Sequence, residues 1–580
     1  MESDILKSYM RNILCSMSLL LVACGEPAEV PNKTADQVLL NGRIYTVDEY
    51  QEWAEAVAIA NGVIEFVGSS SEVKHWIGPQ TKVEDLQGKM LLPGFVDSHS
   101  HIFLGAAHID DLVLDQFAPL ETWLDEIKSF ADQNPEREVL SGYGFLASSF
   151  GHEGPTRQIL DVVVPDRPVI ILDEGMHGAW LNSAALARLG INARTPDPKP
   201  GFDYYMRDAS GEPTGYLLEG TLWKAIDDLG LVTVESMSEK TAEVIRLYNS
   251  YGITAVFDAG PWEAEELQAD ILANIVECGK LNIRFLGSYY IYDRADQDSV
   301  IDKVLALRDL TADTPYTINT LKIMVDGTLE GRTAAMFEDY QGEPGNSGET
   351  VFTVEELNLL VSRATAEDLD IHFHALGERA VSESLDAIEL ARQRYPDSPT
   401  RYTLSHIQLM AREDVKRFSK YGVIAQSTPL WARHDAEGRE FITEDQFNRY
   451  YLFKSLANAG VKLTFGSDYP STGEGDLGIS PLYNMETGHT RQFAGRPEAP
   501  IQPPVEERLS IAELIKAYTI NGAFQMRMSD RIGSISVGKQ ADMVLLNQNL
   551  FEVDPYEIHK VKILKTWLAG KIVYQSALSD

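Results

Sequence analysis

Eight short apolar runs, separated by stretches with helical patterning, constrain this chain more than any other feature. They are Leu91–Ile102, Ile253–Asp258, Ile283–Tyr289, Leu321–Val325, Ile371–His374, Tyr402–His406, Gly422–Gln426 and Lys462–Asp468. Strand-like runs alternating with helical ones pair into a parallel sheet, and eight is the number that closes a (β/α)8 barrel. The expected fold class is therefore α/β, a TIM-type barrel. The gap between the first two runs is far longer than a crossover needs. An inserted subdomain covering the barrel mouth is expected there, from about Asp110 to Ser250.

The two ends of the chain have a different texture. Val38-Leu39-Leu40, Arg43-Ile44-Tyr45, Ala56–Ile59 and Val63–Val67 are short runs with Asn41-Gly42 and Asn61-Gly62 between them, and Asn-Gly is a strong hairpin signal. The pattern returns at Asp542–Leu546 and Lys562–Trp567, with Gly570-Lys571 turning into Ile572-Val573-Tyr574. Residues 37–90 and 529–580 are expected to form one small β-sandwich, enclosing a barrel over 91–528.

The first residues read as an address. Lys7 and Arg11 precede an apolar run from Ile13 to Ala23, too short for a membrane span. It ends in Leu21-Val22-Ala23-Cys24-Gly25, which looks like the lipobox of a bacterial lipoprotein, with Cys24 as the lipidated first mature residue. Gly25 after it points to the outer membrane, facing the periplasm or the exterior. Residues 25–36 then serve as a tether. Of three cysteines, Cys15 and Cys24 fall in this segment, so Cys278 alone remains and no intrachain disulfide can form after processing.

Composition excludes some functions. With 50 Lys and Arg against 87 Asp and Glu, the net charge is −37, and every contact to a nucleic-acid phosphate would be made against that charge. At 44% hydrophobic residues the chain can bury a large core. A small-molecule substrate fits best, and a homodimer is left open.

Ionisable residues fall where the strands end. His99 and His101 stand at i, i+2, on one face of a strand, and imidazole is a common ligand for Zn²⁺ and related ions. Lys322 lies opposite Leu321, Ile323 and Val325, so it points into the barrel, paired with Asp326 or converted by CO₂ to a carbamate. His372, His374, His406 and Asp468 follow on later strands. Each alone is ambiguous. Together they form a set that two divalent cations would bring close to neutrality.

These motifs resemble the amidohydrolase superfamily, and within it the amidohydrolase-3 branch of YtcJ-like proteins and N-substituted formamide deformylase. The residues that carry the likeness are Leu92–His101, His177–Leu186, Gly252–Val256, Asp326–Ala334, Gly466–Pro470 and Gly538–Asp542. The resemblance implies His99, His101, His374, His406 and Asp468 as metal ligands and Lys322 as a carboxylated bridge. One or two divalent ions, with Zn²⁺ expected, would activate a water, and Asp468 would shuttle its proton to the leaving nitrogen. His374 is preferred to His372 because it directly precedes Ala375-Leu376-Gly377-Glu378. His177, Trp180 and Arg332 are candidate substrate contacts, while Glu219 and Asp258 read as structural. Two departures stand out. The family often has Asp at Glu378 and an acidic residue at Ser405, which puts the orientation of His406 in question. The implied activity is hydrolysis of a non-peptide C–N bond in an amide, N-acyl, N-formyl or cyclic amide. Ester or phosphotriester hydrolysis, deamination, isomerisation and a catalytically silent surface protein are the alternatives.

Overall fold

The computed structural model describes residues 34–231, 234–261, 266–436 and 438–577. The signal segment and nearly all of the tether lie outside them. The eight barrel strands are Phe95–Ser100, Ile253–Asp258, Arg284–Ile291, Tyr316–Met324, Asp370–Ala375, Tyr402–His406, Ile424–Ser427 and Leu463–Phe465. They follow one another in a single sheet in chain order, each parallel to the next. All are buried on both faces, as strands flanked by helices must be.

The first and eighth strands meet through the segment just beyond the eighth. The Asp468 N–H donates to the His99 carbonyl at 2.8 Å. The buried Asp97 carboxylate accepts the Ser467 N–H at 3.0 Å and the Ser467 hydroxyl at 2.6 Å. Two residues expected to bind metal, His99 and Asp468, are thus joined by the hydrogen bond that closes the barrel.

The first apolar run proves to be two strands. Met90–Pro93 belongs to a sandwich sheet and only Phe95–Ser100 to the barrel. At the break, the Gly94 N–H donates to Asp542 O and the Phe95 N–H to Gly252 O, so the backbone passes from one sheet to the other within a residue. A Cβ at position 94 would lie 2.3 Å from Thr254 Oγ1, too close for any side chain.

The chain ends build two sheets. One has four strands from residues 37–85. The other has six, in which Met90–Pro93 pairs with Met543–Leu546 and so joins the two ends. Leu39, Ile44, Val57, Leu91, Met543, Leu545 and Trp567 share one core between them.

The insertion carries a six-stranded mixed sheet spanning Leu112–Val113 to Pro213–Leu218. Its core contains Trp123, Phe145, Trp180 and Tyr216. Helix Val234–Ser250, expected within the insertion, packs instead on helices Ile102–His108 and Gln268–Glu277 and leads into the second strand. It is the crossover of the first βα unit, which fits its length and position. Among the described residues, no helix is long and apolar enough to cross a membrane.

Candidate metal centre

Six of the expected ligands converge at the C-terminal ends of the barrel strands, where barrel enzymes carry their active sites. His99, His101, Lys322, His374, His406 and Asp468 are all buried. His99 Nε2 and His101 Nε2 lie 3.3 and 3.2 Å from Asp468 Oδ1. Zn–N and Zn–O bonds of ~2.0–2.2 Å in a tetrahedron place ligand atoms about 3.3 Å apart, so these three donors fit one ion. They form a compact group in which all three ligand atoms lie within 4.8 Å of one another.

The His101 ring is oriented from behind. Its Nδ1 sits 2.8 Å from the Gly260 carbonyl, which only an N–H can satisfy, so Nε2 is the nitrogen turned toward Asp468. A cation between Nε2 and Asp468 Oδ1 would be held by both. Asp258, two residues before Gly260, accepts the Ile102 N–H at 2.8 Å and the Gly260 N–H at 3.2 Å, and these bonds brace this corner.

The second cluster is less braced. The His374 and His406 rings lie 4.5 Å apart, and His406 is 4.7 Å from His99. The Nε2 atoms of His374 and His406 are buried without a hydrogen-bond partner. An orphaned buried ring nitrogen is costly, and a cation would supply the missing partner. Burial, with the neighbouring Lys322 charge, holds His99, His374 and His406 well below the usual histidine range. All three are neutral at physiological pH, the form that ligates metal. Burial opposes ionisation of Asp468, but the hydrogen bond with His101 and the Lys322 charge beside it hold its carboxyl below the usual range.

Lys322 reaches His99 in the first cluster and Ser405, the neighbour of His406, beside the second. Its Nζ lies 3.5 Å from His99 Nε2 and 3.4 Å from Ser405 Oγ. The ion pair with Asp326 does not form. Asp326 instead accepts the N–H groups of Ala335, Leu376 and Gly377 at 2.9–3.0 Å, pinning two strand-end loops together. Burial pushes the Lys322 ammonium down to about 7, with Asp468 and Asp258 opposing.

Two of the expected ligands stand on left-handed backbone, His406 at φ +70° and Asp468 at φ +54°. Such residues cost about 1–3 kcal/mol each and collect at functional sites. The turn at His406 lets both Ser405 and His406 face inward. Ser405 Oγ donates to Phe373 O at 2.6 Å and faces Lys322, while His406 Nδ1 lies 3.6 Å from Asp468 Oδ2. Glu378 is engaged elsewhere, with Gln446 and Arg449.

The sequence profile of the amidohydrolase family matches residues 82–574. The chain belongs to the amidohydrolase family. It is 32% identical to the exoenzymes regulatory protein AepA of Pectobacterium carotovorum, over 74% of this chain and 93% of that protein. It is 27% identical to the N-substituted formamide deformylase of Arthrobacter pascens, over 93% of this chain and 98% of that enzyme. An uncharacterized metal-dependent hydrolase from Pyrococcus horikoshii superposes with a TM-score of 0.70 at 23% identity, covering 90% of this chain and 99% of that one.

The three expected substrate contacts of this amidohydrolase separate. His177 is at the centre, its ring 5.6 Å from that of His374. Its Nδ1 pairs with Glu219 Oε2 at 2.8 Å, and its backbone N–H donates to Asp173. Burial opposes the charged ring, but Glu219, Asp173 and Asp468 outweigh it and raise His177 to about 9. Trp180 is fully buried in the insertion core, stacked near Phe145 and Phe150, with its indole donating to Thr156 O at 2.8 Å. It packs the insertion and does not face the ligands. Arg332 pairs with Glu343 at 2.9 Å and lies over Phe441.

Sequence reasoning read Glu219 as structural and set His372 aside in favour of His374. Glu219 stands at φ +53° before helix Gly220–Asp228 and is buried against His177, a position that nothing in its neighbours announces. Trp431, 5.7 Å from the His406 ring, went unremarked.

Proposed function

We propose that this amidohydrolase cleaves a non-peptide C–N bond in a small molecule bearing an amide, N-acyl, N-formyl or cyclic amide group. The observation that carries the reading is the cluster of buried imidazoles around Asp468, in which His374 Nε2, His406 Nε2 and Asp468 Oδ1 are all without a hydrogen-bond partner. A divalent cation held by His99, His101, Lys322, His374, His406 and Asp468, with Zn²⁺ the ion their nitrogen and oxygen donors suit, would polarise a carbonyl and bring the pKa of water to about 7.

The protein's own residues supply the rest. Asp468 takes the proton of the attacking water on its carboxylate and gives it to the departing nitrogen, which could not leave as an anion. His177, kept protonated by Glu219, directs an N–H to the substrate oxygen as negative charge grows there. Lys322, neutral for a large fraction of the time near pH 7, is the nucleophile for CO₂: its nitrogen forms the new N–C bond, loses a proton, and becomes an anionic bridge between the two clusters. The relative named for its action on N-substituted formamides supports an acyclic N-acyl substrate over deamination.

We infer further that Leu21–Gly25 is a lipobox and that the mature protein is anchored through Cys24 in a bacterial envelope. Intact-mass analysis of protein from native membranes should find an acylated Cys24 as the first residue. Residues 1–23 still attached in a cytosolic fraction would refute this.

The activity is tested with zinc-loaded protein and a panel of N-formyl, N-acyl and cyclic amides, reading amine release. Asp468→Asn keeps an oxygen donor but cannot take the proton, so kcat should fall by ~10²–10⁴ with zinc retained. Turnover of esters, phosphotriesters or aminopurines with no amide cleaved would favour the alternatives.

A further inference from the structure

We propose that His372 is a positioning residue that fixes the proton of His99 and thereby aims its metal-binding nitrogen. The inference rests on the metal centre above and extends it to a residue outside the ligand set.

His372 faces the barrel interior beside Lys322, with which it is in register on the neighbouring strand. It is 1% exposed. Its Nε2 lies 2.9 Å from His99 Nδ1, the two rings tilted by 59°, and its ring packs 4.8 Å from Phe257 at a 31° tilt. The opposite edge of His99 presents Nε2 to Asp468 Oδ1 and Lys322 Nζ, at 3.3 and 3.5 Å.

Proton counting then fixes both rings. A neutral imidazole carries one proton. For His99 Nε2 to offer a lone pair to a cation, the proton must sit on Nδ1. That N–H then points at His372 Nε2, which must be bare to accept it, so the His372 proton is on Nδ1. The reverse arrangement, with His372 Nε2–H donating to His99 Nδ1, would put a proton on the ligand nitrogen and block it. Ligating histidines commonly donate their second N–H to a carbonyl or carboxylate, and such partners affect metal affinity 10–100-fold. His101 follows that rule through Gly260 O. For His99 the acceptor is another imidazole, which is neutral, and so adds no negative charge next to the Asp468 carboxylate.

The test uses full-length protein and Zn²⁺ alone. In the zinc-loaded wild type, nitrogen NMR of labelled histidines should show His372 protonated on Nδ1 and bare on Nε2. A proton on His372 Nε2 overturns the proposal without recourse to any variant. In chelator competition, His372→Leu should weaken zinc binding by ~10–100-fold. His372→Gln, which returns an acceptor oxygen near the position of Nε2, should recover most of that loss. Equal affinity in His372→Leu and wild type, or a His372→Gln as weak as His372→Leu, also overturns it. His99→Ala serves as the reference. If that variant binds zinc as tightly as wild type, the metal centre itself is refuted, an outcome distinct from failure at His372 alone.

Discussion

The two halves of the metal centre are built differently. On the seam side, His101 is braced by Gly260 O, His99 by His372, and Asp468 by the backbone hydrogen bond that closes the barrel. On the side of strands five and six, His374 and His406 end in buried nitrogens with no partner. The seam donors are held from behind by these bonds, yet Asp468 Oδ1 there is as unpartnered as the two imidazole nitrogens opposite. The difference teaches that folding fixes the direction of the seam donors, whereas a cation would satisfy unpartnered atoms in both halves.

Lys322 lies between the halves, so removing it breaks the comparison most severely. Lys322→Ala should lose about one of two bound zinc ions and reduce kcat by at least about 10²-fold. The ion that remains should be the one at His99, His101 and Asp468. Added short carboxylic acids should restore part of the second equivalent. A fully loaded variant, or a density map of the wild type with a bare ammonium beside two ions, would remove the bridge from the account.

A smaller effect is expected from Glu219, which acts through His177. Hydrogen bonds to charged groups are worth roughly 1.5–3 kcal/mol, so Glu219→Gln should lower kcat/KM by about ten- to a hundredfold. Zinc content should stay unchanged, because neither residue belongs to the ligand set. Loss of zinc would instead show that the dyad supports His374.

The smallest effect is on stability. His177 is raised from 6.5 to about 9 in the fold. The stabilisation it gives is therefore full below pH 6.5, declines between pH 6.5 and about 9, and is absent above. Its size is at most about 3 kcal/mol. Denaturant unfolding of metal-free wild type and His177→Gln should show their difference shrinking across that window. A constant difference would mean that the ring is neutral in the fold.

Much of this was legible in the residues, for identifiable reasons. Strands such as Ile253–Asp258 and Tyr402–His406 stand where the apolar runs place them, because buried parallel strands must be apolar throughout. The candidate ligands could be picked out because His374, His406 and Asp468 each end one of those runs and His99 and His101 lie near the end of another. Leu91–Ile102 misled because one apolar run crosses two sheets, and only the close approach of Thr254 to Gly94 separates them. Trp180 and His177 are three residues apart in one motif, yet one packs the insertion and the other faces the ligands. That divergence depends on how the insertion docks, which local patterning does not encode. The pairing of Glu219, read as structural, with His177 and the left-handed turns at His406 and Asp468 were hidden for the same reason, since they are imposed by tertiary contacts.

The central claim is that a metal centre forms at these strand ends, and elemental analysis tests it most directly. Purified protein loaded with Zn²⁺ and freed of excess should carry one to two equivalents, as expected for this ligand set. The His99→Ala plus His101→Ala variant, checked for native folding by circular dichroism, should lose the ion on the seam side. Unchanged zinc content in that folded variant would contradict the account.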